Sequence, residues 1–286
     1  MRWASMLAAT SLVGCASAQP GLDALPTRSL DECNTRGFEV KQALDVAIAI
    51  DTSGSTADPS GADIDGDGIV GELRDAVMTD RADSLLAAQV AGIKSVVADS
   101  GMHDLRLSIV SFSGKDRFYD PISAERFPDA TLREELTSDP RELEAALDRV
   151  LRGGSRGTSN FAAAMRRSLE ALDVGWRSAP ADGRRRVVLM LADSPTPILP
   201  GPTQYLYRTP EGDPHGSVVR TDPHMAVAAK RAIRSHVVFN TFGLGAAADA
   251  DPPHMLSRIA GATGGQYYAV KDPTELHCEL MSALAQ

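Results

Sequence analysis

The sequence predicts an α/β fold, with a doubly wound, mostly parallel sheet flanked by helices on both faces in a single domain. Short apolar runs of strand length alternate with longer stretches whose apolar residues recur at helical spacing. The 286 residues, 43% hydrophobic and 23% charged, have a globular composition and suffice for one large domain. Strands joined through helices run parallel, because the crossover returns the chain to the same end of the sheet.

Each predicted element rests on its pattern of apolar residues. The first strand, Ala43–Ile50, is almost entirely apolar, as expected for a central strand buried on both faces. The later strands are predicted over Leu105–Phe112, Val187–Ala192, Val237–Phe242 and Gln266–Val270. The helices are predicted over Arg81–Asp99, Pro140–Leu151, Phe161–Leu172, Met225–Ser235, Pro253–Ala260 and Pro273–Leu284. An inserted acidic loop over 56–80 and a Pro/Gly-rich loop over 195–221 interrupt the alternation.

Residues 1–14 predict a signal peptide, because an apolar run too short to cross a bilayer as a helix follows Arg2. The run ends in LVGC at 12–15, which resembles the lipobox of bacterial lipoproteins. That resemblance implies cleavage before Cys15 and lipidation of its sulfur. Since Ala16 rather than Asp follows, it also implies a lipid anchor in the outer membrane. The alternative is ordinary cleavage after Ala18, which gives a periplasmic or secreted protein. Residues 15–42 lack periodicity and predict a tether before a domain over 43–286.

The chain has three cysteines, too few for a disulfide scaffold or a cysteine-based zinc site. If Cys15 carries a lipid, Cys33 and Cys278 remain, and an exported protein can join them in a disulfide. Two unpaired thiols are the alternative.

The formal net charge is −9, which does not favour binding to a phosphate backbone, so no nucleic-acid partner is expected. The short basic run Arg184–Arg186 precedes a strand and is expected to be solvated or to contact an acidic surface. Membrane contact is expected through the lipid anchor only.

The first predicted strand runs directly into the sequence DTSGS. Asp51 offers a carboxylate, and Ser53 and Ser55 offer neutral hydroxyl oxygens, while Gly54 lets the backbone curl so that these groups converge. Ligands of doubly wound folds gather outside the carboxyl ends of the strands. A small set of hard oxygen ligands suits Mg²⁺. The alternative is a helix N-cap at Asp51, with the serines forming a turn.

With this motif the sequence resembles the von Willebrand factor A-domain family, whose metal-ion-dependent adhesion site has the pattern Asp-x-Ser-x-Ser. The resemblance covers the chain from about residue 43 to its end. It implies that Thr158, in a Gly-rich loop, and Asp193, at the end of a later strand, complete the ligand set. The sequence departs from the family at Ser194, where the family usually has glycine.

The resemblance implies a binding protein, not an enzyme. Two aspartates balance the charge of Mg²⁺ or Mn²⁺, and the hydroxyls add none, so the metal can accept one more anionic oxygen. In the family this oxygen comes from an Asp or Glu of a protein partner. One alternative is a scaffold that metals only stabilise. Another is a serine hydrolase using Ser155 in the pattern G-x-S-x-G, which requires a preceding strand where a helix is predicted.

A second cation site is predicted inside the acidic loop. Asp63, Asp65 and Asp67, followed by Gly68, begin like a calcium-binding loop, and Ile69 could donate its backbone carbonyl. Arg74 stands where an EF-hand has its bidentate glutamate, so Glu72 is the predicted last ligand, with Asp75 as its alternative. We therefore expect Ca²⁺ here; a solvated acidic loop is the competing interpretation.

Overall fold

A computed structural model describes residues 33, 42–75, 77–99, 104–114, 129–178, 183–194, 223–250 and 255–286. The predicted signal peptide, Cys15, nearly all of the tether and the loop over 195–221 lie outside these residues. Among the described helices, none combines the length and the apolar character that a membrane span requires.

The predicted strands and helices are present, together with the short strands Leu73–Arg74 and Val77–Met78, the edge strand Ala130–Thr137 and the short helix Ala246–Asp249, which were not predicted. The strands are β1 (Leu44–Asp51), β2 (Leu73–Arg74), β3 (Val77–Met78), β4 (Leu105–Phe112), β5 (Ala130–Thr137), β6 (Arg185–Ala192), β7 (Val237–Gly243) and β8 (Tyr267–Ala269). The helices are α1 (Leu85–Asp99), α2 (Pro140–Gly153), α3 (Phe161–Ser178), α4 (Pro223–Arg234), α5 (Ala246–Asp249), α6 (Met255–Thr263) and α7 (Leu276–Ala285). Single 3₁₀ turns lie at Gly54–Ala57, Arg81–Asp83 and Pro273–Glu275.

Six strands form the main sheet in the order β5-β4-β1-β6-β7-β8, and all neighbouring pairs except β4 and β5 are parallel. The side chains of β1 alternate between two apolar clusters. Val46, Ile48 and Ile50 pack with α1, α2 and α7 on one face. Ala47 and Ala49 pack with α3, α4 and α6 on the other face. This arrangement confirms the predicted doubly wound α/β fold.

One strand of the main sheet was not predicted. β5 is the antiparallel edge strand, and its sequence ATLREELT is half-buried and rich in charge. Edge strands tolerate charged side chains because one of their edges remains open, so the apolar signal of a central strand is missing. Because of charged residues such as Arg133 and Glu134, the sequence of β5 resembles a polar connection rather than a strand.

At the amino-terminal end of β1, a buried carboxylate forms ion pairs with two arginines. Asp45 is fully buried and accepts hydrogen bonds from Arg106 Nη2 at 2.6 Å and from Arg184 Nε at 2.6 Å. Burial acts to raise the pKa of Asp45, but the two arginines outweigh it and hold that pKa below its ordinary value. Part of the predicted basic run thus neutralises an acid inside the fold.

Cys33 and Cys278 form a disulfide, as predicted for an exported protein. Cys33 is buried, and Cys278 lies in α7, so the bond joins the segment before β1 to the last helix. His277 Nε2 lies 3.1 Å from Cys33 Sγ.

Candidate metal centre

The loop after β1 is held in one conformation by backbone contacts to the neighbouring strand. Asp51 ends β1 and is completely buried. Its Oδ1 accepts a hydrogen bond from Ser53 N at 2.8 Å. Thr52 donates both its backbone N–H, at 2.7 Å, and its hydroxyl, at 2.9 Å, to the carbonyl of Phe112 on β4. The Asp51 carboxylate is therefore fixed at the carboxyl end of the sheet.

The two serines of the motif follow directly. The hydroxyl oxygens of Ser53 and Ser55 lie 3.2 Å apart. Thr56 donates its hydroxyl to the Ser53 carbonyl at 2.8 Å, which closes the 3₁₀ turn. The structure thus brings these two hydroxyls together beside Asp51.

A second loop, which connects α2 to α3, interlocks with the first. Gly54 N donates to Gly157 O at 2.9 Å, and Thr158 N donates to Gly114 O at 3.2 Å. Gly157 has a φ of 70°, and a Cβ at this position would collide with the Gly114 carbonyl. These contacts place Thr158 against the end of β4, in the loop that also touches Asp51 through Ser159.

Ser159 is a contact that sequence reasoning missed. Its hydroxyl donates to Asp51 Oδ2 at 2.9 Å, and the residue is buried. Ser159 directly follows Thr158 in the loop that the family resemblance identified. That position was the available clue to its role. Gln89 was missed as well: its Nε2 donates to the Asp51 carbonyl at 3.2 Å. A glutamine within the predicted apolar face of α1 was the available clue.

Asp193 follows the end of β6, which pairs with β1, so the strands bring two aspartates to the same edge. The nearby Ser55 side chain acts to lower the pKa of Asp193. Its Oδ1 is buried and has no hydrogen-bond partner among the described residues. Buried carboxylate oxygens without a partner are rare because losing hydration without compensation is unfavourable. Such an oxygen is suited to a cation.

The electrostatics of Asp51 and Asp193 also favour a bound cation. Burial, and then the charge of Asp193, raise the pKa of Asp51 to about 7. Burial also raises the pKa of Asp193. Both carboxyls are therefore hard to ionise in the protein alone, and a divalent cation between them would remove this penalty. The oxygens available for such a cation belong to Asp51, Ser53, Ser55 and Asp193, with Thr158 in the adjoining loop.

The acidic insertion is organised by its own carboxylates. Asp63 accepts hydrogen bonds from Gly66 N at 2.7 Å and Gly68 N at 2.9 Å. Asp65 accepts from Asp67 N at 3.1 Å, and Asp67 accepts from Ile69 N at 2.7 Å. The loop therefore curls around these three side chains.

Two aspartates that were not predicted join this loop. Carboxylate oxygens of Asp63, Asp65 and Asp83 lie within 4.8 Å of one another, and so do those of Asp65, Asp67 and Asp80. Asp83 is completely buried and accepts from Ile64 N at 2.6 Å and Gly71 N at 2.7 Å. Burial and these neighbouring acids raise the pKa of Asp65.

Glu72, the predicted last ligand of this loop, lies apart from the carboxylate clusters. Its exposed carboxylate pairs with Arg74 at 3.6 Å and belongs to neither acidic cluster. Asp83 takes the position inside the loop instead, because the 3₁₀ turn before α1 folds back under the insertion. The alternative ligand Asp75 adopts a positive φ of 51° at the tip between β2 and β3.

The geometry at Ser155 argues against the hydrolase alternative. Ser155 follows α2 rather than a strand, so the order of elements in a nucleophile elbow is absent here. Its hydroxyl lies 2.7 Å from Thr56 Oγ1, and this contact joins the two loops of the candidate metal centre.

No protein-family model and no curated protein sequence matches the chain. Solved structures do resemble it. An aerotolerance-related membrane protein from Bacteroides fragilis, solved with multiple mutations to serines, has a TM-score of 0.51 and 16% identity, over 84% of this chain and 98% of that one. The conserved hypothetical protein BatB from Bacteroides thetaiotaomicron has a TM-score of 0.50 and 13% identity, over 85% of this chain and 97% of that one.

A third similar structure is a von Willebrand factor type A protein from Catenulispora acidiphila. It has a TM-score of 0.51 and 16% identity, over 85% of this chain and 42% of that one. At this level of identity the likeness concerns the fold, and the fold is the one that the motif at Asp51 implied.

Proposed function

We propose that this chain, which has the von Willebrand factor A-type fold, is a domain that binds a protein partner through a divalent cation. Asp51, Ser53, Ser55, Thr158 and Asp193 would hold Mg²⁺ or Mn²⁺ at the carboxyl end of the sheet. The observation that carries this proposal is the buried oxygen of Asp193, which has no hydrogen-bond partner in the described part of the chain and lies beside a second buried aspartate.

The charge of this ligand set determines what the cation could bind. Two carboxylates cancel the double positive charge, and the three hydroxyls are neutral. The cation would therefore still attract an anionic oxygen, and an Asp or Glu side chain of a partner supplies one. Binding an acidic side chain of a partner on the cation involves no chemical reaction. We therefore propose that the protein is not an enzyme.

The test is capture of partners from a cell-envelope extract on the immobilised chain, with Mg²⁺ added or omitted at constant Ca²⁺. We expect proteins that the wild type retains only with Mg²⁺ and that Asp51→Asn does not retain. If both proteins retain the same set with and without Mg²⁺, metal-mediated binding is excluded. A metal that raises the melting temperature without any such partner would support the scaffold alternative.

We further propose that the chain is exported and anchored by a lipid on Cys15 in the outer membrane. The disulfide between Cys33 and Cys278 supports an oxidising compartment. Radiolabelled fatty acid should be incorporated into the wild type and not into Cys15→Ser; a periplasmic or secreted protein would incorporate none.

The acidic insertion is proposed to bind Ca²⁺ through Asp63, Asp65, Asp67 and the Ile69 carbonyl, with Asp80 and Asp83 closing the site. At a Ca²⁺ concentration 100 times the Kd, binding stabilises by about 2.7 kcal/mol. We expect the melting temperature to rise by roughly 5–10 °C. Asp65→Asn should lose this rise, because Asp65 belongs to both carboxylate clusters.

Glu72→Gln is the matched control, since the Glu72 carboxylate pairs with Arg74 instead. Differential scanning calorimetry with and without Ca²⁺, at constant Mg²⁺, compares the three proteins. A Ca²⁺-dependent rise that Glu72→Gln abolishes and Asp65→Asn keeps would contradict this assignment.

A further inference from the structure

A groove with apolar walls runs beside the candidate metal centre. It encloses about 710 Å³ between the β2–β3 hairpin and the carboxyl end of α2. Leu73 and Val77 form its outer wall and are 51% and 63% exposed, while the buried Leu86 and Leu151 lie at its base. The hairpin thus presents large apolar side chains to solvent, where its own stability gains little from them.

The groove is continuous with the loops of the metal centre. Ala57 and Asp58, which follow the motif serines by two and three residues, line one end of it together with Ser155. The Ser155 hydroxyl contacts Thr56, whose hydroxyl is bonded to the carbonyl of Ser53. This end of the groove is therefore formed by the same two loops that present the candidate metal ligands.

The groove also carries positive charge. Arg81 and Arg152 line it and are exposed, and neither forms an ion pair with another described residue. Of the described residues that line the groove, Asp58 alone is acidic. Two arginines against one aspartate favour an acidic occupant, although the protein as a whole is acidic.

We propose that the groove binds the same partner segment whose acidic side chain binds the cation. The segment would place an apolar side chain against Leu73 and Val77 and a second carboxylate near Arg152 or Arg81. The partner class is thus an acidic peptide segment with two carboxylates and an apolar residue near them. This inference rests on the proposed function and adds the source of its specificity.

A displayed library of random peptides with one central glutamate, selected on the full chain with Mg²⁺, tests it. We expect the selected peptides to share an apolar residue and a further Asp or Glu on one side of the fixed glutamate. Val77→Ser and Arg152→Glu should each weaken binding of a selected synthetic peptide by about tenfold, because each removes one contact of the flanking residues.

The matched controls change similar side chains elsewhere. Val227→Ser alters an exposed valine on α4, 67% exposed, and Arg141→Glu alters the opposite end of α2. Both should bind the peptide as the wild type does. Fluorescence anisotropy measures all five proteins with Mg²⁺ and with the metal removed.

The outcomes separate the two proposals. Peptides that bind only with Mg²⁺, share no flanking residues and bind Val77→Ser and Arg152→Glu normally would overturn the groove and leave the metal site standing. If no peptide requires Mg²⁺, the proposed function fails and this inference fails with it. A dimer of the free chain that Val77→Ser dissociates would identify a second copy as the occupant and overturn the acidic peptide.

Discussion

Asp51→Asn is expected to weaken Mg²⁺ binding at least about 100-fold while leaving the protein folded. The substitution keeps the shape of the side chain but removes one of the two carboxylates that would balance the charge of the proposed cation. Because Asp51 is completely buried and difficult to ionise, its neutral replacement should not lower the melting temperature of the metal-free protein. Isothermal titration calorimetry and thermal unfolding measure the two quantities separately.

The same carboxyl predicts how Mg²⁺ affinity depends on pH. The pKa of Asp51 is raised from its ordinary 3.8 to about 7, so the folded metal-free protein holds this proton more tightly than the unfolded chain. The carboxyl's contribution to stability is therefore complete below 3.8 and is lost as pH rises through about 7. Since the cation requires the ionised form, its affinity should fall as pH decreases below about 7.

Titrations at pH 8, 7 and 6 test this dependence. Asp104→Asn, an exposed aspartate at the opposite end of the sheet, is the matched control and should bind Mg²⁺ normally. Affinity that is constant over this range, or that Asp104→Asn reduces as much as Asp51→Asn, would contradict the assignment.

Removing the disulfide is expected to have the largest effect on stability. The bond between Cys33 and Cys278 has a sequence separation of 245 residues and encloses the whole sheet. The chain-entropy account assigns a closed loop of this length roughly 5 kcal/mol, through its restriction of the unfolded state. For a domain of this size that corresponds to a melting temperature about 10–20 °C lower.

The double variant Cys33→Ala and Cys278→Ala tests this expectation in a Cys15→Ser background, where the third thiol cannot exchange. The background protein alone is the control, and Mg²⁺ and Ca²⁺ are held constant. Reduction of the background protein with dithiothreitol should lower its melting temperature by a similar amount. A shift below about 3 °C would show that the last helix holds its place by packing alone.

The sequence determined the parts of this protein that depend on local pattern. Continuous apolar runs such as β1 are buried in the folded protein, and they predicted the central strands. Apolar residues at helical spacing predicted the helices between those strands. The motif beginning at Asp51 is contiguous, and its turn brings its own hydroxyls together. With Cys15 assigned to lipidation, Cys33 and Cys278 were the two cysteines left to pair, and the structure joins them in a disulfide.

Tertiary structure decided the contacts between residues that are distant in sequence. Ser159 reaches Asp51 because two loops interlock, and no local pattern encodes that contact. Asp83 enters the acidic loop in place of Glu72 because the chain folds back before α1. β5 is a strand because β4 offers it an open edge, although its own residues are largely polar. Local sequence patterns show which side chains are buried. Contacts between residues distant in sequence depend instead on how the helices, strands and loops pack against one another.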